Sequence, residues 1–454
     1  MEVNIVALLL LNLIFRCLRR TMKKILILAY DFPPLNSVAA ERPYFWMNNF
    51  KKNGFYPIVI TRAWNGSITS MIEKDEVGND CPEQHNVTDD YTLIAVKQKV
   101  YFKYFLLKTL RLNSLPFFSK MLTLFELLTR FRFFLFDDKK IIYNAAKHYL
   151  KDNKVDVIIA SGEPFLLFKY ASILSAQFNV PWVADYRDGW STNHKIDKSA
   201  LETFIRKRDG KSEKRIVSTA SLFTTTNKFL EQEIHELTKV NGFVFYNGVD
   251  LKELNNLKSD TPSKKFIVNY GGTIYDANYV DIFIEGFKLF YAKYGLNTDF
   301  EFEFYGINYS KNEAVEKINL IQSQFSEKIK IYPRVSKDKL LEAMKNASVY
   351  LDFIYGSPAK GTGTKAFLYM ATKKPNIIIP LVKTKESYIF QDRDIRTIVL
   401  SGQEFCDVLE TYYLLFRDGK SLETSITDDE IYSISRDKSL ADFSAHLSQL
   451  ISKN

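Results

Sequence analysis

The chain has 454 residues, of which 46% are hydrophobic, and a single core stops growing well below this length, so we expect two domains. The 62 Lys and Arg against 53 Asp and Glu give a net charge of +9, which favours an anionic partner. No recognisable nucleic-acid-reading module accompanies this spread-out charge, so we expect no nucleic-acid partner. Cys17, Cys81 and Cys406 form no C-x-x-C motif, which argues against structural zinc and for a reducing compartment, the cytoplasm.

The first 21 residues contain an apolar run, Val3 to Phe15, about half the ~20 residues that span a bilayer. Its flanking charges are reversed for a secretory signal, because Glu2 precedes the run and arginines follow it. Met22 then begins "MKKILILAY", a natural start for a buried strand. We therefore expect residues 1–21 to be an upstream extension from a misplaced start codon; the alternative is a short membrane-dipping anchor.

From residue 22 onward, apolar strings of strand length alternate with amphipathic segments of helix length, which is typical of βα units in parallel sheets. The predicted strands of the first half are Ile25–Tyr30, Pro57–Thr61, Val155–Ser161, Trp182–Tyr186, Leu222–Thr226 and Phe243–Tyr246. A polar interval predicts a linker at 248–265. The predicted strands of the second half are Phe266–Tyr270, Phe300–Tyr305, Lys328–Tyr332, Val349–Ile354, Asn376–Pro380 and Ile395–Leu400.

One region, Lys97 to Phe136, departs from this alternation. It holds eight Lys or Arg, one acidic residue and eleven aromatics at helical spacing. This composition predicts a surface that lies on anionic lipid, with apolar side chains inserted and cations at the headgroups. The alternative is a helical insertion whose aromatic side chains pack on the first domain. The last segment, about Asp428 to Ser452, predicts a terminal helix that could pack back across the domain joint.

Ligands of open parallel sheets bind at the carboxyl ends of strands, and two loops of the first half carry suitable residues there. The first follows Tyr30, where small residues at the start of the next helix allow close approach to the backbone; its candidate residues are Asn36, Ser37, Ala39, Ala40, Glu41 and Arg42. The second is "PWVADYRDGW", which places Asp185, Arg187 and Asp188 at a strand exit. These three charges indicate either a salt-bridged turn or a polar site, and we favour the site.

Two loops of the second half have groups that suit a phosphate. Gly271, Gly272 and Thr273 follow a predicted strand, although they form neither a G-x-G-x-x-G motif nor a P-loop. After Val349–Ile354, the segment Gly361-Thr362-Gly363-Thr364-Lys365 offers backbone amides, hydroxyls and a cation where a helix begins. Such groups hold a diphosphate. The alternative is a glycine-rich loop with solvent-exposed lysines.

The ordered blocks of this chain resemble the family-4-like glycosyltransferases with the GT-B fold. The blocks are "ILILAYDFPPLNSVAAERPYFW", "NGFYPIVITR", "WVADYRDGW", "YNGVD", "YGGTIY" and "GTGTKAFLYMATKKP", and they span about Lys23 to Pro380. The resemblance implies an α/β fold of two Rossmann-like doubly wound domains facing across a cleft. It implies an acceptor-binding domain at 22–247 and a nucleotide-sugar-binding domain at 266–427, followed by the helix at 428–454.

Carried over by position, the resemblance gives roles to individual residues. The loop Asn36–Arg42 would bind the acceptor, with Ala39-Ala40 where relatives usually have Gly-Gly. Asp185, Arg187 and Asp188 occupy the strand exit where many relatives place a histidine near the anomeric carbon. Lys365 matches the lysine of a "GTKxFEYLA"-like block.

The chain departs from the family pattern at the donor end. Leu368 stands where relatives have a glutamate for the ribose, and Lys360 where they often have a glutamate facing the sugar. No cation follows Gly272-Thr273. The diphosphate charge would then rest on Lys365, Lys360, Arg334 and helix amides.

The resulting hypothesis is transfer of a sugar from a nucleotide-diphosphate donor to a hydroxyl of a saccharide or lipid-linked saccharide, in polysaccharide or glycoconjugate synthesis. Asp185 or Asp188 would orient the acceptor hydroxyl or take its proton, and Arg187 would hold a carboxylate or an acceptor oxygen. The resemblance implies retention of configuration, no metal and no cofactor beyond the nucleotide-sugar co-substrate. Asp392-Arg393-Asp394 has metal-ligand spacing, but it precedes a strand, so we discount it.

Two rival functions remain. The first is a GT-B-shaped binding subunit of a polysaccharide-assembly complex that has lost its ribose glutamate. The second is a sugar-nucleotide epimerase, which would need carboxylates around the donor sugar, where this sequence has few.

Overall fold

The computed structural model describes residues 22–35, 37–64, 81–98, 116–129, 131, 137–192, 199–255, 263–274, 277–297, 299–309, 312–354, 363–380 and 394–453. The chain divides into two compact units. Unit 1 comprises the described residues of Met1–Phe245 and Leu440–Asn454, and unit 2 is Tyr246–Ser439. The predicted extension at 1–21 lies outside the described residues. Each described helix is too short or too polar to cross a bilayer.

Unit 1 contains an eight-stranded sheet in the order β3-β4-β2-β1-β5-β6-β7-β8. Its neighbouring strands are parallel, apart from β3, which is antiparallel to β4. The strands are β1 (Lys23–Leu28), β2 (Phe55–Arg62), β3 (Gln84–Val87), β4 (Thr92–Val96), β5 (Val157–Gly162), β6 (Trp182–Tyr186), β7 (Leu222–Thr225) and β8 (Gly242–Val244). The edge strand β3 and its neighbour β4 were not among the predicted strands; both are short, and β3 is polar and exposed.

Helices connect these parallel strands. They are α1 (Val38–Asn49), α2 (Pro116–Thr129), α3 (Lys140–Asp152), α4 (Leu166–Phe178), α5 (Ala200–Val217) and α6 (Lys228–Thr238). The side chains of Ser37, Ser199 and Asn227 cap the starts of α1, α5 and α6 by accepting hydrogen bonds from backbone N–H groups of the first turn. These caps fix where each helix begins after its loop.

The core of unit 1 is apolar and rich in aromatic side chains. Strands β2, β5 and β6 are buried along their whole length, as expected for central strands of a sheet covered on both faces. Phe165 and Trp190 stack with ring centroids 5.1 Å apart. From the end of the chain, Phe443 packs on Trp46 at 5.8 Å.

Unit 2 contains a six-stranded sheet in the order β11-β10-β9-β12-β13-β14, in which every neighbouring pair is parallel. Its strands are β9 (Phe266–Gly271), β10 (Phe300–Tyr305), β11 (Ile329–Tyr332), β12 (Val349–Ile354), β13 (Asn376–Pro380) and β14 (Arg396–Ile398). Its helices are α7 (Leu251–Asn255), α8 (Asn278–Tyr294), α9 (Glu313–Gln324), α10 (Lys337–Asn346), α11 (Thr364–Ala371), α12 (Gly402–Arg417) and α13 (Asp428–Ser433). The two parallel sheets with their connecting helices form the predicted pair of doubly wound, Rossmann-like units.

The end of the chain differs from the single terminal helix that the sequence predicts. Helix α13 ends at Ser433, and a separate helix, α14 (Arg436–Ser452), follows it. Ser435 forms a parallel bridge with Val249, and the N–H of Arg436 donates to the carbonyl of Val249 at 2.9 Å. These backbone bonds replace helical ones at the break. The part of α14 from Leu440 onward belongs to unit 1.

The predicted lipid-facing segment, Lys97 to Phe136, is described at 97–98, 116–129 and 131. Helix α2 forms there, in agreement with the helical spacing of the sequence. None of its side chains whose burial is described is buried.

Candidate functional site

The clearest assembly of predicted site residues in unit 2 surrounds Lys365. Its Nζ donates a hydrogen bond to the carbonyl of Gly271, the last residue of β9. Nζ also lies 5.0 Å from the centroid of the Tyr270 ring. Lys365 is on α11, which follows β12, and β12 pairs with β9. Adjacent parallel strands thus bring together two residues that are 94 positions apart in the chain.

A second contact from α11 reaches the same residue. Tyr369, one helical turn after Lys365, accepts a hydrogen bond at its hydroxyl from the N–H of Gly271 at 3.3 Å. Its ring stacks on Tyr350 of β12 with centroids 4.2 Å apart. Both polar groups of Gly271 therefore hold the face of α11 that carries Lys365.

Glycine at position 272 makes room for the lysine. Its φ is +131°, a value that favours glycine, and a Cβ built there would overlap the Lys365 Nζ. Burial lowers the pKa of Lys365, while the nearby Asp352 carboxylate raises it in part. A cation that is partly buried beside backbone and one carboxylate gains electrostatic stabilisation when an anion binds next to it.

The structure describes some of the other predicted donor-site residues and leaves three outside the described ranges. Gly363 is exposed and is the N-cap residue of α11, which begins at Thr364. Arg334 is exposed after β11, and its Cα would lie 3.5 Å from a Cβ at Gly306. The carbonyl of Thr273 accepts the hydroxyl of Tyr270 at 2.9 Å. Lys360, Gly361 and Thr362 lie outside the described residues.

Leu368 takes part in apolar packing. It is partly buried against two small clusters, one that includes Phe367 and Met370 and another that includes Tyr350 and Tyr369. The side chain at the position of the expected ribose glutamate thus contributes to the packing of α11.

In unit 1, Asp185 at the carboxyl end of β6 forms a buried polar network. It is fully buried, and its Oδ1 pairs with Arg42 Nη1 at 2.6 Å. Thr224 Oγ1 donates to the same oxygen at 2.7 Å and Ser161 Oγ donates to Oδ2 at 2.8 Å. Arg42 also donates to the carbonyl of Phe245 at 3.0 Å. The sequence considered a salt-bridged turn within the loop, whereas the ion pair of Asp185 is with Arg42 of α1.

The other two charged residues of that loop, Arg187 and Asp188, lie in different environments. Arg187 donates from Nε to the carbonyl of Gly162 and from Nη2 to the carbonyl of Glu163, each at 2.6 Å. It thereby ties the exit of β6 to the exit of β5. Asp188 is exposed. The catalytic roles given to Asp185, Arg187 and Asp188 stay predictions.

The loop after β1 begins α1. Ser37 accepts from the N–H of Ala39 at 3.2 Å and donates to Asp31 Oδ2 at 3.3 Å. Ala40 is buried, whereas Ala39 and Glu41 are partly exposed. Asn36 lies outside the described residues. The acceptor-binding role of this loop also stays a prediction.

Sequence reasoning missed a polar cluster at the carboxyl ends of β1, β2 and β4. The Tyr30 hydroxyl donates to Asp138 Oδ2 at 3.1 Å and accepts from Arg62 Nη1 at 2.7 Å. Lys139 pairs with Asp138 at 2.5 Å, and Gln98 Nε2 donates to the same carboxylate at 3.3 Å. The sequence offered one signal for this cluster, namely a polar residue at or just after the end of a strand. Tyr30, Arg62 and Gln98 carry that signal, but Asp138 and Lys139 do not.

Burial shapes the protonation of this cluster. Burial raises the pKa of Tyr30 above its ordinary value. Burial lowers the pKa of Lys139, but Asp138, Tyr30 and Asp137 together raise it above its ordinary value. Burial raises the pKa of the neighbouring Asp137 to about 7. Among the described residues, no group of three or more His, Cys, Asp or Glu side chains forms a metal site.

Comparison with known proteins gives structural likeness alone. No protein-family model and no curated protein matches the sequence. A glycosyltransferase from Rickettsia africae ESF-5 is similar with a TM-score of 0.55 and 14% identity, over 95% of this chain and 100% of that chain. An alpha,alpha-trehalose-phosphate synthase (UDP-forming) from Burkholderia vietnamiensis is similar with a TM-score of 0.55 and 12% identity, over the same shares.

A third solved structure is the sucrose-phosphate synthase of Thermosynechococcus elongatus. It is similar with a TM-score of 0.52 and 13% identity, over 95% of this chain and 97% of that chain. These likenesses extend over nearly the whole length of both partners in each pair. Together with the two parallel sheets, they show that the chain has the GT-B fold.

Proposed function

We propose that the protein is a glycosyltransferase that moves a sugar from a nucleotide-diphosphate donor to a hydroxyl of a saccharide or lipid-linked acceptor. In this reaction the bond from the anomeric carbon to the diphosphate breaks, a bond to the acceptor oxygen forms, and the acceptor hydroxyl loses its proton. Polysaccharide or glycoconjugate synthesis in the cytoplasm is the setting that we favour. A lipid-linked acceptor would require the enzyme to work at a membrane surface.

The observation that carries the proposal is the contact of Lys365 with the end of β9. The contact places a partly buried cation next to the Gly271-Gly272 backbone and at the start of α11. Amides at a helix start and a fixed cation are the groups that stabilise a phosphate. Because they are positioned before the reaction, they can stabilise the charge that develops on the leaving diphosphate.

The fold supports the same assignment. Of the three similar structures, one is named a glycosyltransferase, and the name of another states that it forms UDP. In our proposal unit 2 binds the nucleotide-sugar, and unit 1 contributes acceptor contacts from the loop after β1 and from the exit of β6. Retention of configuration and a reaction without a metal are the finer parts of this proposal.

Calorimetric titration of the full chain with UDP-, ADP- and GDP-sugars tests the donor site. We expect at least one donor to bind, and we expect Lys365→Ala to weaken that binding at least tenfold and to lower kcat by about 100-fold, the usual effect of losing one such charge-stabilising donor. The matched control is Lys420→Ala, because Lys420 is exposed and pairs with Asp418, two residues away in the chain. Unchanged binding and kcat in Lys365→Ala would remove Lys365 from the donor site.

A second candidate is a binding subunit with a degenerate donor site, and the packing of Leu368 favours it. A side chain held between two apolar clusters has no group for a ribose hydroxyl. If the wild-type chain binds no nucleotide-sugar, this candidate replaces the transferase.

A further inference from the structure

Helix α5 exposes a side that is apolar at its start and basic along the rest of its length. Leu201 and Phe204 are 49% and 56% exposed, and Lys207, Lys211 and Lys214 are exposed after them. These five residues recur at intervals of three or four, so they lie on one side of the helix. We call them the α5 face.

The charges of α5 are sorted by sign between its two sides. The acidic residues Asp209 and Glu213 are buried, whereas Arg206 and Arg215 are exposed, as the lysines of the α5 face are. After Glu202 in the first turn, every exposed charged residue of the helix is therefore basic. A helix side that is only solvated usually mixes both signs, so this one-sided charge indicates an anionic partner.

The three lysines of the α5 face are available to such a partner. In the part of the chain that the structure describes, none of them forms an ion pair or a hydrogen bond. The neighbouring helix α6 has three glutamates, but Glu231 pairs with Lys228 of the same helix at 2.5 Å. The positive charge of the α5 face is therefore not neutralised within unit 1.

The combination of cations with exposed apolar side chains selects the partner. An anionic membrane has negative headgroups above an apolar layer, which matches lysines beside an exposed Leu and Phe. A soluble polyanion would match the lysines but would leave Leu201 and Phe204 in water. A second copy of the chain bound through the same face would bring like charges together, which repulsion opposes.

We propose that the α5 face docks on an anionic membrane, with its lysines at the headgroups and with Leu201 and Phe204 in the interfacial layer. The proposal stands on the exposure and charge of α5, and it does not depend on sugar transfer. Because binding combines charge attraction with shallow apolar insertion, it is peripheral and reversible, and salt weakens it.

Sedimentation of the full chain with lipid vesicles tests the proposal. One set of vesicles is pure phosphatidylcholine, and the other contains about one third phosphatidylglycerol, which supplies the negative surface. The charge variant is Lys207→Gln/Lys211→Gln/Lys214→Gln. The matched control removes three exposed lysines of unit 1 outside α5 and so has the same net charge; it is Lys52→Gln/Lys151→Gln/Lys154→Gln.

We expect the wild type and the control to bind the anionic vesicles at least tenfold more strongly than the neutral ones. The charge variant should lose about 100-fold in partition coefficient, because each lysine at an anionic surface contributes about fivefold. This loss should shrink at high salt. The apolar variant Leu201→Ser/Phe204→Ser should lose about tenfold through reduced burial of apolar surface.

The variant Phe204→Trp measures insertion separately from charge attraction. The four native tryptophans are buried, so bromine atoms on lipid acyl chains should quench mainly the new side chain. We expect its fluorescence to fall when anionic vesicles with brominated chains are added. All of these variants change exposed side chains, so their urea unfolding should match the wild type, which separates lost binding from misfolding.

Three outcomes would overturn the proposal. One is a wild type that stays in the supernatant with anionic vesicles, whether or not it binds heparin as a soluble polyanion. Another is a folded charge variant that binds the anionic vesicles as strongly as the control does. The third is a Phe204→Trp protein whose fluorescence is unchanged by the brominated lipid, since the α5 face would then not enter the interfacial layer.

Discussion

Replacing Arg42 with methionine should destabilise unit 1 by about 3 kcal/mol. The Asp185 carboxylate is fully buried and Arg42 is 5% exposed, with 2.6 Å between the paired atoms. Removing one partner of a buried pair costs about 3–5 kcal/mol because the other charge stays uncompensated. The hydroxyls of Ser161 and Thr224 still donate to the carboxylate, so we expect the lower end of that range.

The double variant Arg42→Met/Asp185→Leu tests whether the loss of stability in Arg42→Met comes from leaving the Asp185 carboxylate buried without its partner. It removes both charges and fills the space with apolar groups, so its stability should exceed that of Arg42→Met by about 2 kcal/mol. The matched control on α1 is Val38→Ala, because Val38 is exposed. Its change should stay within about 0.5 kcal/mol.

Tryptophan fluorescence during urea unfolding isolates unit 1. The four tryptophans of the chain are at positions 46, 64, 182 and 190, all within unit 1. With a slope of about 3 kcal/mol per molar urea, Arg42→Met should lower the midpoint by about 1 M. A shift equivalent to less than about 1 kcal/mol, or a double variant as unstable as Arg42→Met, would refute the reasoning.

Two further predictions concern a protonation site and a close backbone contact. Burial raises the pKa of Asp137 from 3.8 to about 7. Between these two pH values the folded state therefore binds more protons than the unfolded state. The contribution of Asp137 to the free energy of unfolding is consequently lost as the pH rises toward about 7. Asp137→Asn should therefore stabilise unit 1 by about 2–4 kcal/mol at pH 8 and by little at pH 4; equal effects at both pH values in urea unfolding would contradict this. At Gly248, φ is +31° and a Cβ would lie 2.6 Å from the carbonyl oxygen of Ile434, so Gly248→Ala should cost about 2 kcal/mol or more. Gly419→Ala, where φ is also positive but the space is open, should cost only about 1 kcal/mol; calorimetric unfolding of unit 2 that gives equal losses would rule out the close contact as the cause.

Periodicity alone predicted most strands of both sheets. Strands β6, β10, β12 and β13 lie where the sequence placed them, since β6, β12 and β13 are short and mainly apolar and β10 alternates aromatic with acidic residues. The hairpin of β3 and β4 was missed, because β3 is exposed and has no apolar pattern to detect. Strand β4 joins the sheet by pairing with β2, which is distant in sequence, and β3 pairs with β4 at the edge.

The candidate site shows the same division. The order of strands and loops predicted polar groups in the loops after β1, β6, β9 and β12, because ligands bind at the carboxyl ends of parallel strands. The sequence did not predict which partner each of these side chains contacts. Arg42 and Asp185 are 143 residues apart, and no local pattern indicates that the arginine of one loop neutralises the carboxylate of another.

By itself, the sequence determined the alternation of strands and helices, the two doubly wound units and the positions of the polar loops, because these depend on local periodicity and turn residues. Only the tertiary structure decided that Lys365 contacts Gly271, that Arg42 pairs with Asp185 and that Tyr30, Arg62 and Asp138 form one cluster. Crossover connections bring distant strands side by side, so the identity of a buried charge's partner is a property of the strand order in the sheet. That order is fixed by packing over the whole unit and is not encoded in any single stretch of the chain.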